Sequence, residues 1–137
     1  KLARACVHES LLNQTKATVL KQSRLRGLGI SDLGCLGECA GLEWLDLSGN
    51  AISHLGPLSS LKALAVLNIS SNRVSSLEPL AGCENLQSLN AAGNLLGGVQ
   101  HLQCLAGLRH LENMQLLFLS NLLYNMKFWC FICKIIT

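Results

Sequence analysis

Seven cysteines, four histidines and eight carboxylates are the residues of this 137-residue chain with chemistry to offer. Cys130-x-x-Cys133 has the spacing of a redox pair or of half a zinc site. A structural zinc needs four ligands, and the sequence supplies no second pair and no neighbouring histidine pair. His8, His54, His101 and His110 recur with no nucleophile or carboxylate at a shared spacing, so no nucleophile–base–orienter set is assembled. Gly97-Gly98 falls at a turn and is not the glycine-rich loop that cradles phosphate. The expectation is a protein that is not an enzyme, with no catalytic residue, no metal and no cofactor.

The bulk composition points the same way. Half of the residues are apolar but 4% are aromatic, so aliphatic side chains must build the core; 14% are charged, against about 25% in an average soluble domain. The formal charge of +3 is unevenly spread. Residues 1–26 carry a net +5, residues 27–112 a net −4, and residues 113–137 a net +2. A nucleic-acid surface needs a basic stripe on the folded face, and the middle of the chain has none; no nucleic-acid partner is expected. The first residues are too polar for the apolar core of a signal peptide. The cysteines are odd in number and scattered, as in a reducing compartment. The protein is therefore expected to be cytoplasmic, with the nucleus as a further option, and not secreted; the N-x-S/T triplets at Asn13 and Asn68 are then chance matches.

The elements that must position any functional surface come from a repeat. Leu42, Leu64, Leu86 and Leu108 recur at a constant interval. After each of the first three runs the same pattern: Leu45, Leu47, Asn50, Ile52, Leu55, Leu58 and Leu61; then Leu67, Ile69, Asn72, Val74, Leu77, Leu80 and Cys83; then Leu89, Ala91, Asn94, Leu96, Val99, Leu102 and Leu105. A weaker unit precedes them (Leu25, Leu28, Ile30, Leu33, Leu36, Cys39), and Leu108 and Leu111 open a fifth. In that fifth unit an aliphatic is expected at 113 and an asparagine at 116, and the chain has Asn113 and Leu116 instead. The Leu45-x-Leu47 alternation is that of a strand with one buried face. The asparagine in the following corner has both a donor and acceptors for backbone groups where the chain turns inward; Asn50, Asn72 and Asn94 should form a structural ladder. The three-residue spacing of Leu55, Leu58 and Leu61 suits a 3₁₀ or irregular turn, and Pro57 and Pro79 fit that return path, where no ladder donor is needed.

This pattern resembles the leucine-rich repeat family, in its 22-residue class with a Pro-Leu signature in the return segment. Gly27-Leu28-Gly29, the run Leu42 to Asn50, the run Cys83 to Asn94 and the run Leu102 to Leu108 carry the resemblance. It implies an α/β fold: a leucine-rich repeat solenoid with short parallel strands on the concave face and 3₁₀ or irregular turns on the convex face. It also implies non-catalytic intracellular binding of a protein partner.

On such a solenoid the non-leucine strand residues form columns on the concave face. One column reads Arg24, Asp46, Asn68, Asn90, Glu112, and the column before it reads Gln22, Trp44, Val66, Ser88, His110. Trp44, large and amphipathic among small polar neighbours, is the anchor candidate; the competing reading folds it against the N-terminal segment as part of a cap. Asp46, Asn68, Asn90 and Glu112 suit a basic or amide-rich partner, or else form a solvated column whose asparagines bond along the ladder. Cys39 and Cys83 take inward slots as small hydrophobes.

The ends depart from the repeat. Residues 1–24 are expected to be an N-terminal segment forming a helical cap, residues 25–112 the repeats, and residues 113–137 an atypical apolar tail holding five of the six aromatics. The stretch 116–137 has the length of a membrane-spanning helix, yet it carries Asn121, Asn125 and Lys127, each costly in a bilayer. A makeshift cap over the last rung is preferred to a membrane tether. A third reading makes the chain an incomplete isoform, short of its cap and without independent activity.

Overall fold

The computed structural model describes residues 21–34, 36–117 and 123–127. A three-residue strand is centred on the first leucine of each apolar-x-apolar triplet, and one more precedes the first of them. These are β1 (Gln22–Arg24), β2 (Trp44–Asp46), β3 (Val66–Asn68) and β4 (Ser88–Asn90). A longer β5 (Asn113–Leu117) follows, and then β6 (Leu123–Lys127). The six form one sheet in sequence order. Pairing is parallel from β1 to β5, and β6 closes the sheet antiparallel to β5.

The strands stop after three residues because the chain must turn inward at once. Gly27, Gly49, Ser71 and Gly93, one per coil at equivalent positions, all take positive φ, at +66°, +67°, +55° and +69°. Three of the four are glycine, which adopts that conformation without a Cβ penalty, and Ser71 accepts the strain. The next residue in three of these corners is the ladder asparagine. The return path is built of 3₁₀ turns at Leu36–Glu38, Gly56–Ser60, Glu78–Gly82 and Val99–Leu105. Pro57 and Pro79 sit in the first positions of the second and third turns, where a missing N–H costs nothing. No α-helix occurs among the described residues.

One core runs through the stack. Leu42, Leu45, Leu47, Ile52, Leu55, Leu58 and Leu61 are buried, and so are their counterparts in the neighbouring coils. Each such aliphatic contributes about 1.5–3 kcal/mol on burial. Cys39 and Cys83 lie in the same inward slots. Between coils, Lys21–Glu43 and Lys62–Glu84 form exposed ion pairs at 2.8 and 3.4 Å, which add little to stability.

The fourth coil is longer than the others. Leu45, Leu67 and Leu89 follow one another at the constant interval of the repeat, but the strand partner of Leu89 is Met114, three positions beyond the next step of that interval, which is Leu111. The extra length enters between the Asn94 corner and Leu102, and the last 3₁₀ turn, Val99–Leu105, is longer than the two before it. The leucines of this coil stand three apart, at 102, 105, 108 and 111, so a slip of three still places a leucine in every inward slot, and all four are buried. In this register Met114 and Leu116 are the buried pair of an ordinary strand. The mismatch expected at 113 and 116 is therefore a shift of frame, and the sheet runs on past residue 112.

The helical cap expected over 1–24 falls on residues outside the described set, except that Gln22–Arg24 is a strand. Within 116–137, the described residues 116–117 and 123–127 are strand. No helix among the described residues is long and apolar enough to cross a membrane. The Cys130/Cys133 pair, His8 and Asn13 also lie outside the described residues.

Candidate protein-binding surface

In every short strand the middle residue points into the core and its two neighbours point out. The outward residues line up across the sheet by register. One column is Gln22, Trp44, Val66, Ser88 and Asn113; the other is Arg24, Asp46, Asn68, Asn90 and Gln115. The expected placement of Trp44, Asp46, Val66, Asn68, Ser88 and Asn90 on one face agrees with this register. His110 and Glu112 do not belong to it: both are exposed, in the turn and approach before β5. The lengthened fourth coil puts Asn113 and Gln115 in their place. The alternation Met114-x-Leu116 was the signal for those two, hidden by the leucines spaced at three.

Behind this face the asparagine ladder fixes the strands to their corners. Asn50 Nδ2 donates to Leu25 O and Leu47 O, both at 2.8 Å, and its Oδ1 accepts from the N–H groups of Leu28 and Ile30 at 3.0 Å. Asn72 donates to Leu47 O and Ile69 O at 3.0 Å and accepts from Ile52 N at 3.0 Å. Asn94 donates to Ile69 O at 2.8 Å and Ala91 O at 3.1 Å and accepts from Val74 N at 2.9 Å. Each side chain thus joins a coil to the one before it, and no buried side-chain polar atom among the described residues lacks a partner.

The outer column is tied down differently. Asp46 Oδ1 accepts from Ser48 N at 2.9 Å, and Asn90 Oδ1 from Ala92 N at 3.1 Å. Asn68 Oδ1 accepts from both Ser70 N at 3.0 Å and Ser70 Oγ at 2.7 Å. These bonds reach two residues ahead within one chain segment, the turn habit of Asx side chains; they do not run along the ladder from coil to coil. Trp44 is half-buried, and the guanidinium carbon of Arg24, from the preceding strand, lies 5.4 Å from its ring centroid. Such a contact contributes about 0.5–1 kcal/mol at an exposed site. Arg24 thus packs on the Trp44 ring from the same face.

No group of three or more metal-ligating side chains occurs among the described residues. Cys83 and Cys104 are free thiols. Burial pushes the Cys83 thiol up to about 11, with Lys62 drawing it back in part, and Cys83 donates to Leu58 O at 3.1 Å. Burial, then the Glu78 carboxylate, raises Cys104 as well. A raised thiol is a poor nucleophile.

The family model described as "Leucine rich repeat" matches residues 40–96. Over those residues the coils match leucine-rich repeats, and their stack is a leucine-rich-repeat solenoid. In solved structures the same solenoid recurs. An internalin (inlF) from Listeria monocytogenes superposes with a TM-score of 0.67 at 20% identity, over 77% of this chain and 33% of that one. An internalin C2 (inlC2) from the same species gives 0.59 at 31% identity, over 74% and 46%. A chain of the SNF/U2A′ complex of Drosophila melanogaster gives 0.57 at 27% identity, over 77% and 64%. Among curated proteins, leucine-rich repeat-containing protein 61 from Homo sapiens is 84% identical over 25 residues, and that from Mus musculus 81% identical over 26. Those stretches are 18% and 19% of this chain and a tenth of each relative's length. Leucine-rich repeats of this fold are protein-interaction modules, typically without catalytic activity.

Proposed function

We propose that the strand face of this solenoid is where the chain docks a protein partner, with Trp44 as the anchor. One observation carries the reading. Trp44, half-buried, stands with Val66 among small polar residues on a face whose backbone is bonded from coil to coil. A surface held this firmly loses little freedom on binding, and a lone large aromatic among small neighbours is the usual seat of binding energy. Asp46, Asn68, Ser88 and Asn90 complete the contact area. From β1 to β5 the charges in its two outward columns are Arg24 and Asp46, which is no basic stripe for nucleic acid. The free thiols at 83 and 104 are in keeping with a reducing compartment, and we place the protein in the cytoplasm or nucleus.

Proximity labelling with the wild-type chain supplies a partner list, and pull-down with Trp44→Ala tests it. Recovery of a genuine docking partner should fall at least about tenfold, the scale of a hot-spot truncation. Undiminished recovery would remove the anchor role.

A further inference from the structure

The chemistry of the partner can be read from which arms of the outer column are already spoken for. The face owed its expected acidity to two carboxylates, Asp46 and Glu112, and the lengthened fourth coil takes Glu112 off it. What remains from β2 to β4 is Asp46, Asn68 and Asn90, consecutive register partners. All three satisfy the N–H two residues ahead with Oδ1. For the two asparagines this settles the amide: Oδ1 is engaged within the fold, and the Nδ2 group, two N–H donors, has no partner among the described residues. Adjacent strands stand about 4.8 Å apart. Two amide donors at that separation bracket one carboxylate, each donating to one of its oxygens. Asp46, at the same position one strand earlier, presents an acceptor and repels a carboxylate that slips over to β2.

We propose that Asn68 and Asn90 form a receptor for an acidic side chain of the docked partner, seated beside the apolar pair Trp44 and Val66. It rests on the docking reading above and goes beyond it by giving the partner a chemistry: a short segment in which an aspartate or glutamate lies next to an apolar residue. The sign is opposite to the basic partner that the column suggested when Glu112 was counted in it. Hydrogen bonds to an ionised acceptor are about twice as strong as neutral ones, so a glutamine in place of the partner's glutamate is a real loss.

Three pools of labelled nine-residue peptides make the test. They share a fixed leucine and differ at one nearby position, which is glutamate, glutamine or lysine; the other positions are drawn from Ala, Ser and Thr. Fluorescence anisotropy against the full chain should show the glutamate pool bound about tenfold more tightly than the glutamine pool, with lysine weakest. Asn68→Asp and Asn90→Asp should each abolish the preference while leaving the thermal transition in place, because Asp46 shows that an aspartate makes the same turn. Equal binding of the three pools, binding of none, or a glutamate preference that survives both substitutions would overturn the proposal. Loss of partner recovery with Trp44→Ala, in a chain lacking the glutamate preference, keeps the docking face and removes the carboxylate receptor. A glutamate preference erased by the asparagine substitutions, with partner recovery indifferent to Trp44, keeps the receptor and removes the anchor.

Discussion

Asn72 serves four backbone groups from two coils with one side chain, the carbonyls of Leu47, Ile69 and Ser70 and the N–H of Ile52. Hydrophobic side chains of similar volume fill the space but satisfy none of these. An unpaired buried polar group costs about 1–3 kcal/mol, so Asn72→Ala should lose about 3 kcal/mol or more, read from urea midpoints with the slope unchanged. The first coil shows the alternative: Leu28 stands at the corresponding corner, is half exposed, and leans on Asn50 for its N–H. Cys83 gives a second residue-level expectation. Its proton affinity is raised in the fold, from an ordinary 9.0 to about 11. The resulting contribution is fully present below pH 9, where the thiol is neutral folded and unfolded, and is lost as pH rises from there to about 11. Stability should fall more steeply over that window in the wild type than in Cys83→Ala; parallel curves would remove the buried thiol as the cause.

At the level of elements, the return path sets how closely coils stack. A Cβ on Gly82 would collide with the backbone oxygen of Ser59 in the preceding 3₁₀ turn, and one on Gly37 would meet Pro57 O at 2.5 Å. Gly82→Ala should cost about 1–3 kcal/mol, the usual penalty of forced overpacking, with a lowered melting temperature as the readout. Most of this architecture was legible in the sequence. The constant leucine interval predicted parallel strands, inward leucines and corner asparagines, because each slot admits one kind of side chain. The fourth coil was not legible in the same way. Its leucines recur at three and the chain slips by the same three positions, so both frames put leucines in the inward slots of the return path. Only the strand separates them, by Asn113 and the Met114-x-Leu116 alternation. The Asx turns of Asp46, Asn68 and Asn90 escaped for a different reason, since a side chain that bonds its own strand and one that bonds its neighbour share the same sequence.

For the whole molecule, the frame of that coil decides what a partner meets. Without the slip the fifth strand would bring His110 and Glu112 to the face, and with them a second negative charge; with it the fifth strand brings Asn113 and Gln115 instead. The parallel sheet is then closed by the β5–β6 hairpin, whose antiparallel strand covers the edge that another coil would otherwise occupy. Both the docking face and the receptor at Asn68 and Asn90 inherit their setting from this register. Cysteine cross-linking measures it directly. In parallel neighbours a disulfide needs Cα atoms about 4.4–6.8 Å apart, which the register gives to positions 90 and 115 and denies to 90 and 112. Mild oxidation of the Asn90→Cys/Gln115→Cys chain, mapped by peptide mass spectrometry, should give the 90–115 bridge rapidly, while Asn90→Cys/Glu112→Cys stays open. A bridge that forms faster between 90 and 112 would contradict the account.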